Sequence, residues 1–240
     1  MGKKVLVTRP KDQARAFAED IRELGVDPVI FPVLDIQPVS FALPSEIPDA
    51  LIITSAQVFS VLETRKQDVT PFLPCPVYCV GDVSAQKARS YGFSDVRTNG
   101  NGGVDELMAL VVSEIPAGTL HYWRGEDVTR DLVGTYPAYQ WTEIVMYRAD
   151  AVRVFPNDLR ADFPNLFCIT LFSKRSGEIL ADLIKEYGLE MYVSDINLLC
   201  LSAQVLDSVS QFHWRSVYVA RTADQSGLYH ELKTILREKV

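Results

Sequence analysis

Short apolar runs alternate with amphipathic stretches along almost the whole of this 240-residue chain. The runs indicate buried strands, and the stretches between them place apolar side chains on one face of a helix. Strands that alternate with helices favour an α/β fold with parallel sheets. The predicted strands are Lys4–Thr8, Pro28–Val33, Ala50–Thr54, Val77–Val80, Thr119–Trp123, Glu143–Tyr147, Leu166–Phe172, Asn197–Leu201 and Ser216–Ala220. The predicted helices are Asp12–Leu24, Ala56–Glu63, Val83–Tyr91, Val104–Ser113, Val128–Gly134, Arg175–Tyr187, Ala203–Phe212 and Ser226–Arg237.

Two proline-containing segments interrupt this alternation. The first is Leu34–Pro48 and the second is Arg148–Pro164. Because proline is poorly tolerated in helices and in central strands, each segment is a plausible crossover between domains. Two crossovers imply that the chain begins in one domain, builds a second domain and then returns, so that the first domain is discontinuous.

A weak internal repeat supports two similar halves. In the first copy Ser55 ends one strand and Gly81 follows the next, and in the second copy Ser173 and Ser202 hold these places. The segments that end in Arg9-Pro10 and Arg124-Gly125 form a similar pair, because in each a strand is followed by an arginine. Chance spacing within an ordinary α/β chain is the alternative.

Small or polar residues lie at the ends of at least five strands, at Thr8-Arg9, Thr54-Ser55, Gly81-Asp82, Arg124-Gly125 and Ser173-Lys174. In an open parallel sheet, ligands bind at the carboxyl ends of strands, where helix N-termini offer unpaired N–H groups to anions. Arginine adds a planar fork that suits carboxylate or phosphate. The sequence therefore predicts a ligand with several negative charges, held by two lobes. The alternative is that these serines and threonines only cap helices and that the arginines are solvated surface groups.

Composition and missing motifs exclude several classes of protein. The formal net charge is −7, which argues against a basic surface for nucleic acid. No apolar run reaches the roughly 18 residues of a membrane span, and the N-terminal apolar stretch Val5–Val7 is too short for a signal peptide. The four cysteines form no CxxC pair and indicate reduced thiols of a cytoplasmic protein. We therefore expect a cytoplasmic monomer without a nucleic-acid or membrane partner.

The usual cofactor and catalytic motifs are also missing from the sequence. No GxGxxG follows a strand, and neither GxxxxGK[ST] nor GxSxG occurs. His121, His213 and His230 lie far apart and show no metal-ligand spacing. We therefore expect no cofactor, no metal site and no covalent hydrolase chemistry.

Seven short motifs follow one another along nearly the whole chain. They are VLVTRP at 5–10, LIITSAQVF at 51–59, VYCVGDVSAQKARSYGF at 77–93, LHYWRG at 120–125, EIVMY at 143–147, LFSKRSG at 171–177 and LLCLSAQVL at 198–206. Each motif is degenerate alone, but the ordered set is specific. In this set the chain resembles the uroporphyrinogen-III synthase family.

The resemblance implies two doubly wound, flavodoxin-like α/β lobes joined by a two-stranded linker. One lobe would combine residues 1–34 and 151–240, the other would span 40–143, and the linker would consist of 35–39 and 144–150. The resemblance also implies an activity, the cofactor-independent cyclisation of the linear tetrapyrrole hydroxymethylbilane to uroporphyrinogen III in haem biosynthesis. In that reaction water is lost and the terminal pyrrole ring is inverted.

Site residues follow from the same resemblance together with the strand-end pattern. Tyr147 would assist departure of the hydroxyl group, because a phenol is still protonated at neutral pH and can donate a proton. The substrate carboxylates would bind at Arg9, Ser55, Gly81, Ser84, Arg124, Gly125, Ser173, Lys174 and Ser202. Alternatively, Tyr147 only packs against a lobe, and the chain is a non-catalytic two-lobed binder of an anionic small molecule.

The second half departs from the family's usual pattern. LFSKRSG replaces a turn of the Thr-Ser-Pro type, and Val205 stands where the first copy has Ser84. Main-chain donors would survive these changes, and Lys174 would add a positive charge there.

Overall fold

The computed structural model describes residues 2–100 and 102–237. The chain divides into two compact units, which we call the terminal unit (Met1–Asp35 with Asp150–Val240) and the central unit (Ile36–Ala149). Both divisions fall inside strands, within Leu34–Pro38 and Gln140–Ala151.

Strands and helices alternate through most of the described residues. The strands are β1 (Lys4–Val7), β2 (Asp27–Ile30), β3 (Leu34–Pro38), β4 (Ala50–Ile53), β5 (Val77–Cys79), β6 (Val96–Thr98), β7 (Thr119–Gly125), β8 (Gln140–Ala151), β9 (Leu166–Leu171), β10 (Asn197–Cys200) and β11 (Ser216–Val219). The α-helices are α1 (Lys11–Arg22), α2 (Gln57–Arg65), α3 (Gly81–Tyr91), α4 (Val104–Glu114), α5 (Leu132–Thr135), α6 (Asn157–Asp162), α7 (Lys174–Glu186), α8 (Ala203–Asp207) and α9 (Gln225–Arg237).

The terminal unit contains a five-stranded sheet with the order β11-β10-β9-β1-β2, and every neighbouring pair is parallel. The central strands β9, β1 and β10 are almost entirely buried, as expected when helices cover both faces of a parallel sheet. Phe17 and Ile21 of α1 pack with Val5 of β1 and Leu228 of α9 in one apolar cluster. Taken in chain order within this unit, the strands follow the 2-1-3-4-5 order of a doubly wound fold.

The central unit carries a six-stranded sheet with the order β3-β8-β7-β4-β5-β6. The pairs from β8 to β6 are parallel. Strand β3 runs antiparallel to β8, because the Val39 N–H donates to the Met146 carbonyl while the Val152 N–H donates to the Val33 carbonyl. Strand β4 is buried on both faces, with Leu51 and Ile53 in one apolar cluster and Ala50 and Ile52 in another. The mixed α/β class with parallel sheets that the sequence predicts is thereby confirmed.

The two sheets repeat one strand order. The order β2-β1-β9-β10-β11 of the terminal unit corresponds to β8-β7-β4-β5-β6 of the central unit. The residues paired by the sequence repeat therefore follow corresponding strands, with Ser55 and Ser173 after β4 and β9, and Gly81 and Ser202 after β5 and β10. Arg9 lies just beyond β1, and Arg124 lies near the end of β7, the corresponding strand.

Several helices and strands begin or end at residues other than those predicted from the sequence. The predicted helix Val128–Gly134 is reduced to α5, because Asp131 caps it at Gly134 and Pro137 disfavours helical backbone at the preceding residue. The predicted helix Ala203–Phe212 ends at Asp207, where the Ser208 and Ser210 hydroxyls donate to nearby carbonyls. Strands β3 and β6 are not among those predicted from apolar runs.

All four cysteines are free and buried. Burial raises the pKa of the Cys79 and Cys200 thiols to about 12, so both are uncharged at neutral pH. Among residues 2–100 and 102–237, none of the helices is both long enough and apolar enough to cross a membrane.

Candidate active site

A cavity of about 280 Å³ opens at the carboxyl ends of β4 and β7 in the central unit. Four residues that the sequence analysis assigns to the site line it, namely Ser55, Arg124, Gly125 and Tyr147. They come from three distant segments of the chain, and the parallel pairing of β4, β7 and β8 places those segments side by side. The remaining lining residues are Thr54, Val80, Val104, Tyr122, Asp127, Val128, Thr129 and Arg130.

Tyr147 belongs to β8 and is 9% exposed. Burial raises the pKa of its phenol above the ordinary value of 10, and the nearby Tyr122 and Asp127 raise it further. A hydrogen bond with the Ser55 side chain acts in the opposite direction and lowers this pKa. The net effect is a raised pKa, so the phenol keeps its proton at neutral pH and is available as a donor.

Gly125 leaves the space that the Tyr147 ring occupies. A shift in the register between β7 and β8 sets Gly125 opposite Tyr147, and the Glu126 N–H donates to the Tyr147 carbonyl at 2.7 Å. A Cβ at Gly125 would lie 2.7 Å from two carbons of the Tyr147 ring, which is far closer than atoms normally approach. Glycine is required here because the ring packs directly on its α-carbon.

Arg124 is fixed in the cavity wall by its own protein contacts. Its Nε donates to Glu143 Oε2 at 2.6 Å, and its Nη1 donates to the carbonyls of Gly125 and Glu126. The guanidinium also lies over the Tyr122 ring, 5.8 Å from its centroid. The side chain is therefore pre-oriented, which lowers the entropy cost of binding an anion.

Gly81 and Ser84 belong to α3, after the neighbouring strand β5, and neither is among the residues that line this cavity. Gly81 begins the helix with a left-handed φ of 74°. Ser84 is only 5% exposed, so its hydroxyl lies inside the fold. The main-chain N–H groups at the start of α3 are therefore the more accessible donors of this segment.

In the terminal unit, Arg9 lies between β1 and α1. Its Nε donates to Gln13 and its Nη1 to Gln225, and its guanidinium stacks 4.3 Å from the centroid of Phe172. Burial lowers the pKa of Arg9 to about 10, so the group is still charged at neutral pH. Both hydrogen-bond acceptors are neutral amides, so these bonds hold the cation without cancelling its charge.

Ser173 and Ser202 cap helices, as the alternative interpretation of the sequence holds. The Ser173 hydroxyl accepts from the Ser176 N–H at 3.1 Å, and the Ser202 hydroxyl accepts from the Val205 N–H at 3.4 Å. Lys174 is 65% exposed and lies 3.8 Å from Glu178. Ser173, Ser202 and Arg9 all follow neighbouring strands of one sheet, so they lie along one carboxyl edge.

A family model described as uroporphyrinogen-III synthase HemD matches residues 15–230 of this chain. The chain belongs to the uroporphyrinogen-III synthase family. Its resemblance to that family, predicted from seven short motifs, is confirmed.

A curated relative and two solved structures carry the same family name. The uroporphyrinogen-III synthase of Chlorobaculum parvum (strain DSM 263 / NCIMB 8327) is 32% identical over 99 residues, which cover 38% of this chain and 40% of that protein. The match therefore spans about two fifths of the curated relative. Uroporphyrinogen-III synthetase from Helicobacter pylori 26695 has a TM-score of 0.64 at 15% identity, with 99% of this chain and 100% of that one covered.

The second structure is a mutant uroporphyrinogen III synthase from the extremely thermophilic bacterium Thermus thermophilus. Its TM-score is 0.55 at 14% identity, and the match covers 99% of this chain and 100% of that chain. At these identities the structures show that the fold is shared over nearly the full length of this chain.

Four polar residues that line the cavity in this family member were not predicted from the sequence, namely Tyr122, Asp127, Thr129 and Arg130. The Tyr122 hydroxyl lies 3.2 Å from the Thr54 hydroxyl, and burial raises the Tyr122 pKa. Arg130 forms an ion pair with Asp105 of α4 at 3.2 Å. The period of two along β7 puts Tyr122 on the same face as Arg124, and this signal could have identified it. Within the described residues, no group of three or more His, Cys, Asp or Glu side chains could hold a metal ion.

Proposed function

We propose that this chain converts hydroxymethylbilane to uroporphyrinogen III, with loss of water and inversion of the terminal pyrrole ring, and that it needs no bound cofactor. Membership of the family supports this activity. The observation that carries the proposal is the cavity that joins Tyr147, Ser55, Arg124 and Gly125.

In the proposed first step, the Tyr147 hydroxyl donates its proton to the departing hydroxyl group of the substrate. The carbon–oxygen bond breaks, water leaves, and the terminal methylene becomes an electrophilic azafulvene. The substituted α-carbon of the last ring attacks this carbon to form a spiro intermediate, which fragments and closes again with that ring inverted. The proton lost at the final aromatisation restores the phenol. Proton donation by a positioned group typically contributes about 10²-fold or more to such a rate.

Carboxylate recognition is proposed to use fixed cations and helix N-termini. The substrate bears eight carboxylates, and Arg124 and Arg9 are both held in place by hydrogen bonds to protein groups. The helix starts at Gly81, Ser173 and Ser202 add main-chain donors. Lys174 is proposed to add an exposed positive charge beside Ser173.

The size of the central cavity suits one part of this substrate. A volume of about 280 Å³ lies at the lower end of the range for ligand pockets, so it would take one pyrrole ring with its acidic arms. Without catalysis, the flexible chain closes without inversion. Holding it in a single folded conformation is therefore the main task, and such orientation can supply several kcal/mol.

The proposed cellular setting is the cytoplasm, where the four buried thiols would stay reduced, and the proposed working form is a monomer. Size-exclusion chromatography with light scattering tests whether the purified chain is a monomer.

The activity is tested by supplying the purified chain with hydroxymethylbilane, oxidising the products and resolving the type I and type III isomers. We expect a large excess of type III over the protein-free reaction. A product mixture equal to that of the protein-free reaction would contradict the proposal. Ligand binding without this excess would instead support a non-catalytic binder.

A further inference from the structure

A bulge separates Arg124 from Gly125 in the pairing of β7 with β8. Arg124 lies opposite Val145 and Gly125 lies opposite Tyr147, so Met146 is an extra residue of β8. A bulge of this kind changes the direction in which the side chains beyond it point. Its effect here falls on Tyr147, the first residue after the extra one.

The bulge places Tyr147 on the other face of β8. Because side chains alternate along a strand, regular pairing would put Tyr147 on the face opposite to Ile144 and Met146. Tyr147 instead belongs to the same apolar cluster as these two residues, whereas Trp141 packs against the cluster on the opposite face. The orientation of the phenol therefore depends on the bulge.

The Arg124 side chain holds both strands at this bulge. Its Nη1 donates to the carbonyls of the next two residues, Gly125 at 2.8 Å and Glu126 at 3.0 Å. Its Nε donates to Glu143 Oε2 of β8 at 2.6 Å, and this bond is charge-assisted. The Glu126 N–H in turn donates to the Tyr147 carbonyl at 2.7 Å. One side chain thus connects the end of β7 to the strand that carries Tyr147.

The guanidinium of Arg124 is largely buried where it makes these bonds. The side chain is 16% exposed and lies over the ring of Tyr122, which is paired with Glu143 across the two strands. Within the described residues, the hydrogen bonds of Arg124 use Nε and Nη1, which leaves Nη2 for a ligand carboxylate. Holding the bulge and binding an anion therefore do not compete for the same nitrogen.

We infer that Arg124 is a positioning residue, which keeps the bulge between β7 and β8 and thereby sets the Tyr147 phenol at the cavity. This role goes beyond the binding of a substrate carboxylate that the sequence analysis gives to Arg124. Glu143 is not among the residues that line the cavity, and it acts through Arg124. The consequence for catalysis rests on the proposed function, in which Tyr147 is the proton donor.

The first test needs no substrate and measures amide hydrogen exchange by NMR. We expect Glu143→Ala to speed exchange at the Glu126 N–H by about tenfold, because the bulge opens more often once Arg124 loses its bond to β8. Glu143→Gln keeps an oxygen acceptor for Arg124 and should restore most of the protection. The Val80 N–H, which is bonded to β4 in the same sheet, should not change. Unchanged exchange at Glu126, or an equal rise at Val80, would overturn the inference.

The second test measures kcat and KM with hydroxymethylbilane. We expect Glu143→Ala to lower kcat by about tenfold with KM within about twofold, because the phenol is misplaced while Arg124 keeps its charge. Glu143→Gln should recover most of the rate. Glu186→Ala, which removes an exposed carboxylate of α7 that does not line the cavity, is the matched control. An unchanged kcat with a lowered KM in Glu143→Ala would overturn the inference, because Arg124 would then only bind carboxylate.

Arg124→Lys separates the charge of this residue from its geometry. Lysine keeps a positive charge for a carboxylate, but it has no planar fork that could bond Glu143 and two carbonyls at once. We expect kcat to fall by about tenfold or more, and exchange at the Glu126 N–H to rise as in Glu143→Ala. Wild-type kcat and wild-type exchange in this variant would speak against a positioning role.

A Tyr147→Phe background shows whether the lost rate passes through the phenol. In that background the kcat loss caused by Glu143→Ala should largely disappear, and an equal loss in both backgrounds would overturn the inference. Failure of the proposed function is distinguishable, because the wild-type chain would then form no excess of the type III isomer. Hydrogen exchange at Glu126 would still decide whether Arg124 holds the bulge.

Discussion

At the scale of single residues, Tyr147 combines burial with a retained proton. Its pKa is raised, so the protonated donor persists through neutral pH and is lost only as the pH rises past that value. We expect Tyr147→Phe to lower kcat by about 10²-fold while KM changes little, because the ring still fills its place and only the proton donor is lost. Tyr187→Phe, which alters a phenol that is not among the residues lining the cavity, serves as the control.

The rates of both variants are measured with hydroxymethylbilane and isomer analysis. A kcat for Tyr147→Phe within about twofold of the wild-type value would refute a donor role, since a lost proton donor costs far more. Such a result would instead support the alternative that Tyr147 only packs against the rest of the fold.

Gly125 provides a second residue-level prediction. In Gly125→Ala the new methyl would lie 2.7 Å from the Tyr147 ring, so the ring or the backbone must move. We expect kcat to fall by about tenfold or more, since displacement of about 1 Å is costly to catalysis. We also expect the free energy of unfolding to fall by about 1–3 kcal/mol. The two quantities are measured by steady-state kinetics and urea denaturation.

A double variant separates the two effects of Gly125→Ala. In a Tyr147→Phe background the ring clash persists, but there is no proton donor left to misplace. The stability loss should therefore remain while the further loss of kcat largely disappears. Equal kinetic losses in both backgrounds would mean that Gly125 acts independently of Tyr147.

At the scale of helices and strands, the start of α7 allows capping and ligand binding to be distinguished. In Ser173→Asp the new carboxylate can still accept from the Ser176 N–H, and it interacts favourably with the helix dipole. We expect stability to be kept. If substrate carboxylates approach this helix end, KM should rise by about tenfold through like-charge repulsion.

Ser194→Asp places the same charge at an exposed position that precedes β10, rather than at the carboxyl end of a strand, and is the matched control. Thermal unfolding and KM for hydroxymethylbilane are measured for both variants. An unchanged KM in Ser173→Asp would restrict Ser173 to capping.

Most elements were predictable because buried parallel strands appear as short apolar runs, as in Ala50–Ile53 and Asn197–Cys200. The elements that were missed have a different physical basis. Strand β6 is a three-residue edge strand of half-buried residues, and its Arg97 pairs with Asp95 and Glu114. An apolar pattern could not detect it, because Val96 is the only apolar residue in the strand.

The candidate site was predictable in part for a similar reason. Strand ends could be located from the sequence, and Arg124, Gly125 and Ser55 lie at such ends. Arg130 lies in the loop between β7 and α5, and its ion pair with Asp105 depends on how that loop packs. The residues around Arg130 in the sequence do not predict such an ion pair.

At the scale of the whole molecule, one strand order used twice explains why the predicted residues fall into two corresponding sets. The carboxyl edge of the terminal unit's sheet carries Arg9, Ser173 and Ser202. The carboxyl edge of the central unit's sheet carries Arg124, Ser55 and Gly81. A chain that presents the same kinds of group twice suits a ligand that carries many like charges. In the proposed function, each unit would contribute anion-binding groups without a dedicated phosphate loop.

The stability of the folded chain should depend on pH through a buried histidine. His121 of β7 is 2% exposed, its Nδ1 has no hydrogen-bond partner among the described residues, and its ring packs near Phe72. Burial lowers the pKa of His121, although Glu46 partly opposes the shift. The unfolded chain therefore binds a proton more readily than the folded chain, so stability is full above pH about 6.5 and falls as the pH drops towards the folded-state pKa.

We expect wild-type unfolding to become easier between about pH 7.5 and about pH 5.5, with a slope of at most about 1.4 kcal/mol per pH unit from this one group. His121→Leu should flatten this dependence, whereas His230→Leu, at an exposed histidine, should leave it unchanged. Urea denaturation followed by tryptophan fluorescence reports on the relevant core, because Trp123 lies beside Phe72 in the same cluster. If His121→Leu keeps the wild-type slope, the folded and unfolded chains take up a proton at this histidine equally readily, which would contradict a lowered pKa of His121 in the folded chain.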